Sequence, residues 1–224
     1  MKKLSMLFIL VGALVISFPY LQEKWNDWQQ ARVMSRLEQE LAAPKKTAAS
    51  PQNLQSGLSK LNSSFTEGAE EANLSGSEAN QLLDSTQDAI GLISIDKIDV
   101  RLPILEDATV QNMKVAATHL VETSPIGSEG NAAIAAHRAH KKGRLFNRLG
   151  ELEIGDDIQV TLAGGTTINY KVDRITVVEP TDLSVLEDPK LGQVLTLITC
   201  DPLINPTHRL IVRAVATPSS ASHT

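Results

Sequence analysis

From residue 90 onward, apolar positions alternate with polar ones or gather into short blocks bounded by turn residues. In IDKIDVRLPIL, Ile98, Val100, Leu102 and Ile104 alternate with Asp99, Arg101 and Pro103, the period of a half-buried strand. Residues 130–136, GNAAIAA, read as a small-residue strand that ends at His137. Residues 157–162 and 166–178 read as two strands joined by Ala163-Gly164-Gly165, a hairpin signal. The apolar runs QVLTLIT at 193–199 and RLIVRAVA at 209–216 predict two further strands. They are linked by DPLINPTH, whose two prolines and asparagine suit a loop. Short helical stretches are expected at 110–116 and within 180–186. Six to eight short strands with little helix, over roughly 130 residues, predict a mainly β domain closed as a barrel or stacked as a sandwich.

The N-terminal pattern is different. Residues 4–21, LSMLFILVGALVISFPYL, are uncharged and follow Met1-Lys2-Lys3. At about 1.5 Å per residue the run is about 27 Å long, close to the hydrocarbon thickness of a bilayer. Tyr20, Trp25 and Trp28 lie at its outer end, where interfacial aromatics are expected, and the lysines place the N-terminus in the cytoplasm. A cleaved signal peptide is the rival reading, but SFPYLQEKW offers no good small-x-small site. The pattern therefore predicts a signal anchor over 1–22, a single pass of the cell membrane, and everything beyond it outside the cytoplasm. Residues 23–41 suit a short helix at the membrane surface. Residues 44–88 are dominated by Ser, Ala, Asn, Gln and Glu, with apolar residues too sparse to offset the entropy of ordering. The expected organisation is an anchor at 1–22, a juxtamembrane segment and flexible linker at 23–88, a folded domain at 89–217 and a polar tail at 218–224.

Charge and cysteine content narrow the chemistry. Lys plus Arg number 21 and Asp plus Glu 26, so the net charge is −5, with no polybasic footprint for nucleic acid. The single cysteine excludes an intramolecular disulfide framework and any multi-cysteine zinc or iron–sulfur site. Cys200 ends an apolar strand, and three readings compete: an intermolecular disulfide, an inert core residue or a reactive nucleophile. A nucleophilic thiol needs a proton partner and a group to hold the developing oxyanion. Among the five histidines, His137 at a strand end leads, and His140 in the run HRAHKKGR is second. His119 suits a hydrogen-bonded structural role, His208 is separated from Cys200 by a proline-bearing loop, and His223 lies in the tail. A metal held by His137 and His140 lacks a thiolate or carboxylate at ligand spacing, so no metal or other cofactor is expected. Arg209 opens the strand after the Cys200 loop. If the two strands pair, both residues emerge at one end of the sheet; the plainer reading of Arg209 is an edge charge. Arg213 lies deeper along the same strand.

These residues resemble a known family. TLITCDP at 196–202, followed by His208-Arg209-Leu210-Ile211-Val212, resembles the sortase signature of a TLxTC strand and an Arg-led apolar strand. GNAAIAAHRAHKKGRLFNRLGELEIGD at 130–156 is similar to the region carrying the sortase histidine, with Gly143, Phe146, Leu149, Gly155 and Asp156 in matching places. GLISIDKIDVRLPILED at 91–107 is similar to the first strands of that domain. The pattern most resembles class D sortases and covers about residues 90–217. One departure is Ala136, where many members have Gly. The resemblance implies an eight-stranded β-barrel with short helices, preceded by a membrane anchor. It implies a cysteine transpeptidase, acting as a thiol peptidase and acyltransferase, that attaches surface proteins to the Gram-positive cell wall. It carries over His137 as general acid/base, Cys200 as nucleophile and Arg209 as oxyanion and substrate stabiliser. The partners it implies are surface proteins bearing an LPxTG-like sorting signal and a peptidoglycan amine. Rival classes fit less well: a papain-like peptidase places Cys before His, the His-Gly and Ser-x-Gly-Cys pattern of L,D-transpeptidases is missing, and a binding module would need none of these residues.

Overall fold

Side chains that alternate inward and outward along eight strands close this domain into a barrel. The computed structural model describes residues 24, 28, 30–35, 54–70, 89–139 and 145–218. The expected anchor at 4–21, linker residues 71–88, His140 and His223 lie outside the described residues. Among the described residues no helix is long and apolar enough to cross a membrane.

The strands are β1 (Gly91–Ile95), β2 (Val100–Glu106), β3 (Ala117–His119), β4 (Gly130–Ala135), β5 (Asp157–Leu162), β6 (Thr167–Val178), β7 (Gln193–Asp201) and β8 (His208–Ala216). Around the barrel they run β1-β2-β3-β4-β7-β8-β6-β5, and β5 pairs back to β1. The mainly β, barrel-forming expectation is borne out, and β5 falls on the predicted residues. The β5–β6 turn closes through Gly165, whose φ of +81° lies in the left-handed region that glycine enters without steric cost. β1 was covered only by the resemblance of 91–107 to the first strands of the domain, because it is continuous with the β2 pattern across a short 3-10 turn at Asp96–Ile98; β3 has only three residues, too few to display a period.

The site rests on β4, β7 and β8. β4 lies parallel to β7, Ala135 opposite Ile198, and β7 lies antiparallel to β8, Cys200 opposite Arg209. Ala132, Ile134, Leu195, Leu197, Leu210, Val212 and Ala214 point into the barrel with Phe146 and Tyr170. The intervening residues Ala133, Ala135, Ile198, Cys200 and Ile211 form a second apolar surface on the outside. A face like this must be covered, because buried apolar area is what stabilises the fold.

The cover corrects, over 54–70, the reading of 44–88 as a flexible linker. Residues Leu54–Glu70 form a 17-residue helix, α1. Its buried Leu58, Leu61 and Phe65, with Leu54 at the edge, lie four, three and four residues apart on one stripe and pack on the outer surface. Sparse apolar content concealed a helix that is ordered by the face it meets, not by its own propensity. Gly57 allows close approach: a Cβ there would sit 2.7 Å from a Glu122 carboxylate oxygen. A second helix, α2 (Val110–Val115), falls where a helical stretch was expected and is capped by Thr109, whose hydroxyl accepts from Asn112 N.

Candidate functional site

β4, β7 and β8 deliver the three sequence-predicted residues to one end of the outer face. Cys200 and Arg209 are cross-strand partners, each 8 % exposed. His137 follows β4, and the chain entering it is tied to β7. Ala136 N donates to Ile198 O at 3.2 Å, and Thr199 Oγ1 donates to Ala136 O at 2.8 Å. His137 is thus held beside the residue preceding Cys200. Its carbonyl accepts from Phe146 N at 3.1 Å.

The ring of Phe65 from α1 joins the two flanking groups. It meets the His137 imidazole edge-on, with centroids 5.5 Å apart and planes at 76°. The Arg209 guanidinium lies over the same ring, 4.7 Å from its centroid. Arg209 Nη2 donates to Asn62 Oδ1 at 3.0 Å and Nη1 to His208 O at 3.0 Å. Its Nε is buried with no hydrogen-bond partner among the described residues, so the fork retains donor capacity.

Burial governs the electrostatics here. It pushes the Cys200 thiol above the ordinary thiol range, and the positive charges of Arg209 and Arg138 pull against that rise. Burial also lowers the Arg209 guanidinium from its ordinary value, while the Cys200 charge opposes the change. Both arginines thus favour the deprotonated sulfur, against the burial that disfavours it.

Arg138 carries a role that sequence reasoning missed. Its Nη1 donates to Asp201 Oδ1 at 2.5 Å and reaches the Cys200 carbonyl at 3.4 Å, which pins the C-terminal end of β7. The signal was its place directly after His137 on a chain that passes alongside β7. Asn62 and Phe65 were missed because their segment was read as linker. The remaining described histidines serve elsewhere. His119 is buried, with Nδ1 2.9 Å from Glu106 Oε1 and Nε2 donating to Ser124 O at 3.0 Å, which matches the structural role expected for it. His208 caps β8, 2.8 Å from the Thr207 hydroxyl and 3.2 Å from Glu179 Oε1. Beyond Ile211 the same outer face runs into a cavity of about 110 Å³ lined by Asn131, Thr196, Arg174, Arg213 and Asp182 among others.

A cysteine paired across two strands with a buried arginine, and a histidine on the neighbouring strand end, supply the group types that cysteine acyl transfer uses. The Sortase domain family model matches residues 93–217, more than half of the chain. The chain belongs to the sortase family, whose members are cysteine transpeptidases. It is 34 % identical over 134 residues to "Sortase A" of Bacillus anthracis, a match covering 60 % of this chain and 62 % of that one, less than two thirds of the relative's length. It is 27 % identical over 202 residues to "Sortase D" of Bacillus subtilis (strain 168), covering 90 % of each. Its fold superposes on the structure of a Clostridium perfringens Sortase D5 transpeptidase with a TM-score of 0.53 at 29 % identity, covering 71 % of this chain and 99 % of that one.

Proposed function

We propose that this chain is a cell-surface transpeptidase whose nucleophile is Cys200, whose general acid/base is His137 and whose oxyanion donor is Arg209. The cross-strand pairing of Cys200 with Arg209, beside the strand end that carries His137, is the observation that supports it. In this reaction His137 takes the thiol proton and the sulfur attacks the scissile carbonyl of an LPxTG-like sorting signal. The planar fork of Arg209 donates to the oxygen as it becomes negative. The C–N bond breaks, His137 returns the proton to the departing amine, and the acyl group remains on Cys200 as a thioester. A peptidoglycan amine then attacks the thioester and His137 accepts its proton; the C–S bond breaks, the new amide joins the surface protein to the wall, and the proton on His137 returns to the released Cys200 sulfur.

The proposed setting completes the sequence reading. Residues 1–22 form a single-pass anchor through the apolar run 4–21, and residues 23–88, α1 included, connect it to a catalytic domain at 89–217 outside the cytoplasm. Residues 218–224 are a polar tail. Protease shaving of intact protoplasts should remove the domain while the anchor stays with the membrane; release of the whole chain into the medium would reject this topology.

The catalytic assignment is tested by joining a sorting-signal peptide to a free amine. Cys200→Ala should eliminate product, because the chain holds no other thiol. His137→Ala should lower the rate by roughly 100- to 10,000-fold, the usual weight of a general acid/base. Product formed by Cys200→Ala would overturn the assignment.

A further inference from the structure

The ladder between β4 and β7 ends before it reaches the site. Its last register pair is Ala135 with Ile198, and the next hydrogen bond runs from Ala136 N to Ile198 O at 3.2 Å. His137 and Cys200 lie beyond that point. Two side-chain links bracket them. Before them, Thr199 Oγ1 donates to Ala136 O at 2.8 Å. After them, Arg138 Nη1 donates to Asp201 Oδ1 at 2.5 Å and reaches the Cys200 carbonyl at 3.4 Å. One link precedes both residues and the other follows both, so the two together replace the missing rungs of the ladder.

We infer that Arg138 is a positioning residue for acyl transfer, which with Asp201 and a seat at Gly150 holds the His137 chain and the Cys200 strand end at the spacing that proton transfer needs. The inference rests on the reading of Cys200 as nucleophile and His137 as general acid/base. A proton carrier and a nucleophile on different strands work only while their separation is kept. A misplacement of about 1 Å costs roughly 100-fold in rate. Arg138 follows His137 directly and Asp201 follows Cys200 directly, so no shorter side-chain link could close the far side of the pair.

Both ends of the link are themselves anchored. Arg138 forms an isolated backbone bridge with Leu145, and the Asp201 carbonyl accepts from Thr207 N at 3.0 Å. The guanidinium lies against the 3-10 turn at Leu149–Glu151, where a Cβ on Gly150 would sit 3.2 Å from Nη2. A residue without a side chain leaves room for it there. Arg138 Nε is buried with no hydrogen-bond partner among the described residues. An unpaired buried donor costs free energy, and an exposed ion pair would avoid that cost. The placement is thus set by what Nη1 reaches and not by full pairing of the guanidinium. The Arg138 charge also favours the deprotonated Cys200 sulfur, so position and charge have to be separated by experiment.

The test uses the full chain and compares two reactions of the same sulfur. Alkylation of Cys200 by iodoacetamide needs the deprotonated sulfur alone, whereas acylation by a sorting peptide needs His137 in place as well. Arg138→Ala and Asp201→Ala should each lower kcat for acylation by about 30-fold with KM nearly unchanged, the scale of a misplacement below about 1 Å. Asp201→Ala, which keeps the Arg138 charge, should not move the pH profile of alkylation upward. The double variant should lose little more than either single one, as two halves of one link do. Arg138→Lys carries the charge on a stem one bond shorter and should recover the alkylation profile but not the acylation rate. Gly150→Ala, at an exposed turn position, crowds Nη2 and should lower kcat by about threefold; it keeps the test open if the charge variants fail to fold. Acylation that falls no further than alkylation in folded Arg138→Ala and Asp201→Ala, or full recovery by Arg138→Lys, would overturn the inference alone. A wild-type chain that forms no peptide adduct on Cys200 would reject the catalytic reading, and the inference with it.

Discussion

The two faces of β4, β7 and β8 are built from alternate residues of the same strands and behave as different materials. Inward, Ile134, Leu195, Leu197 and Val212 close a continuous aliphatic core with Phe146 and Tyr170. Outward, Ala133, Ala135, Ile198 and Ile211 make a shallower apolar floor that ends at Cys200 and Arg209 and is covered by a helix from outside the barrel. The inner face has no alternative partner and specifies the fold. The outer face is covered by α1, a helix from a segment that precedes the barrel. Strands apolar on both sides are expected where both faces are buried, and here the second burial is provided by α1.

The largest effect should come from damaging the inner face. Leu197→Ala removes a side chain with no exposed area from a closely packed interior and should cost about 2–5 kcal/mol in denaturant unfolding. Ile211→Ala on the outer face should fall toward the low end of that range, because the docked helix can settle into the space. Equal losses at both positions would erase the distinction between the faces.

Chemistry should show the opposite bias. Arg209→Ala should leave the thiol open to a small electrophile yet slow acylation by a sorting peptide by about 100- to 1000-fold, the usual weight of one oxyanion donor. Arg209→Lys should recover little, since a point charge on a flexible stem does not reproduce a planar fork. Acylation of Arg209→Ala at a near wild-type rate would reduce this arginine to a packing residue.

Arg138→Ala should have a smaller, directional effect. Its charge favours the deprotonated sulfur, so removing it raises the thiol further. The pH profile of Cys200 alkylation should move to higher pH, and the rate at pH 7 should fall by less than about tenfold. A shift to lower pH would mean that loosening the end of β7 outweighs the lost charge. Smallest of all, His140→Ala should stay within about twofold of the wild-type transpeptidation rate, in contrast with a general acid/base. A collapse of activity there would move the proton-transfer role from His137 to His140.

How much of this was legible in the sequence follows from the same contrast. The blocks at 130–136, 157–162, 166–178, 193–199 and 209–216 were readable because inward residues recur at the strand period and turn residues bound each block. The meeting of Cys200 with Arg209 followed from reading two strands joined by a proline-bearing loop, and the register bears it out. What stayed hidden depends on contacts distant in sequence. α1 carries only Leu54, Leu58, Leu61 and Phe65 as its stripe, and its order comes from contacts more than forty residues further along the chain. Asn62 and Arg209 are 147 residues apart, and no local pattern announces such a pair. Arg138 was visible as a residue but not as a tether, because its partner Asp201 is 63 positions away.

The most direct single test is the intact mass of the full chain after brief mixing with an LPxTG-like peptide in the absence of any amine acceptor. The expected result is one acyl adduct, localised to Cys200, released by hydroxylamine as a thioester is, and missing from Cys200→Ala. An adduct on any other residue, or peptide cleavage by Cys200→Ala, would contradict Cys200 as the nucleophile.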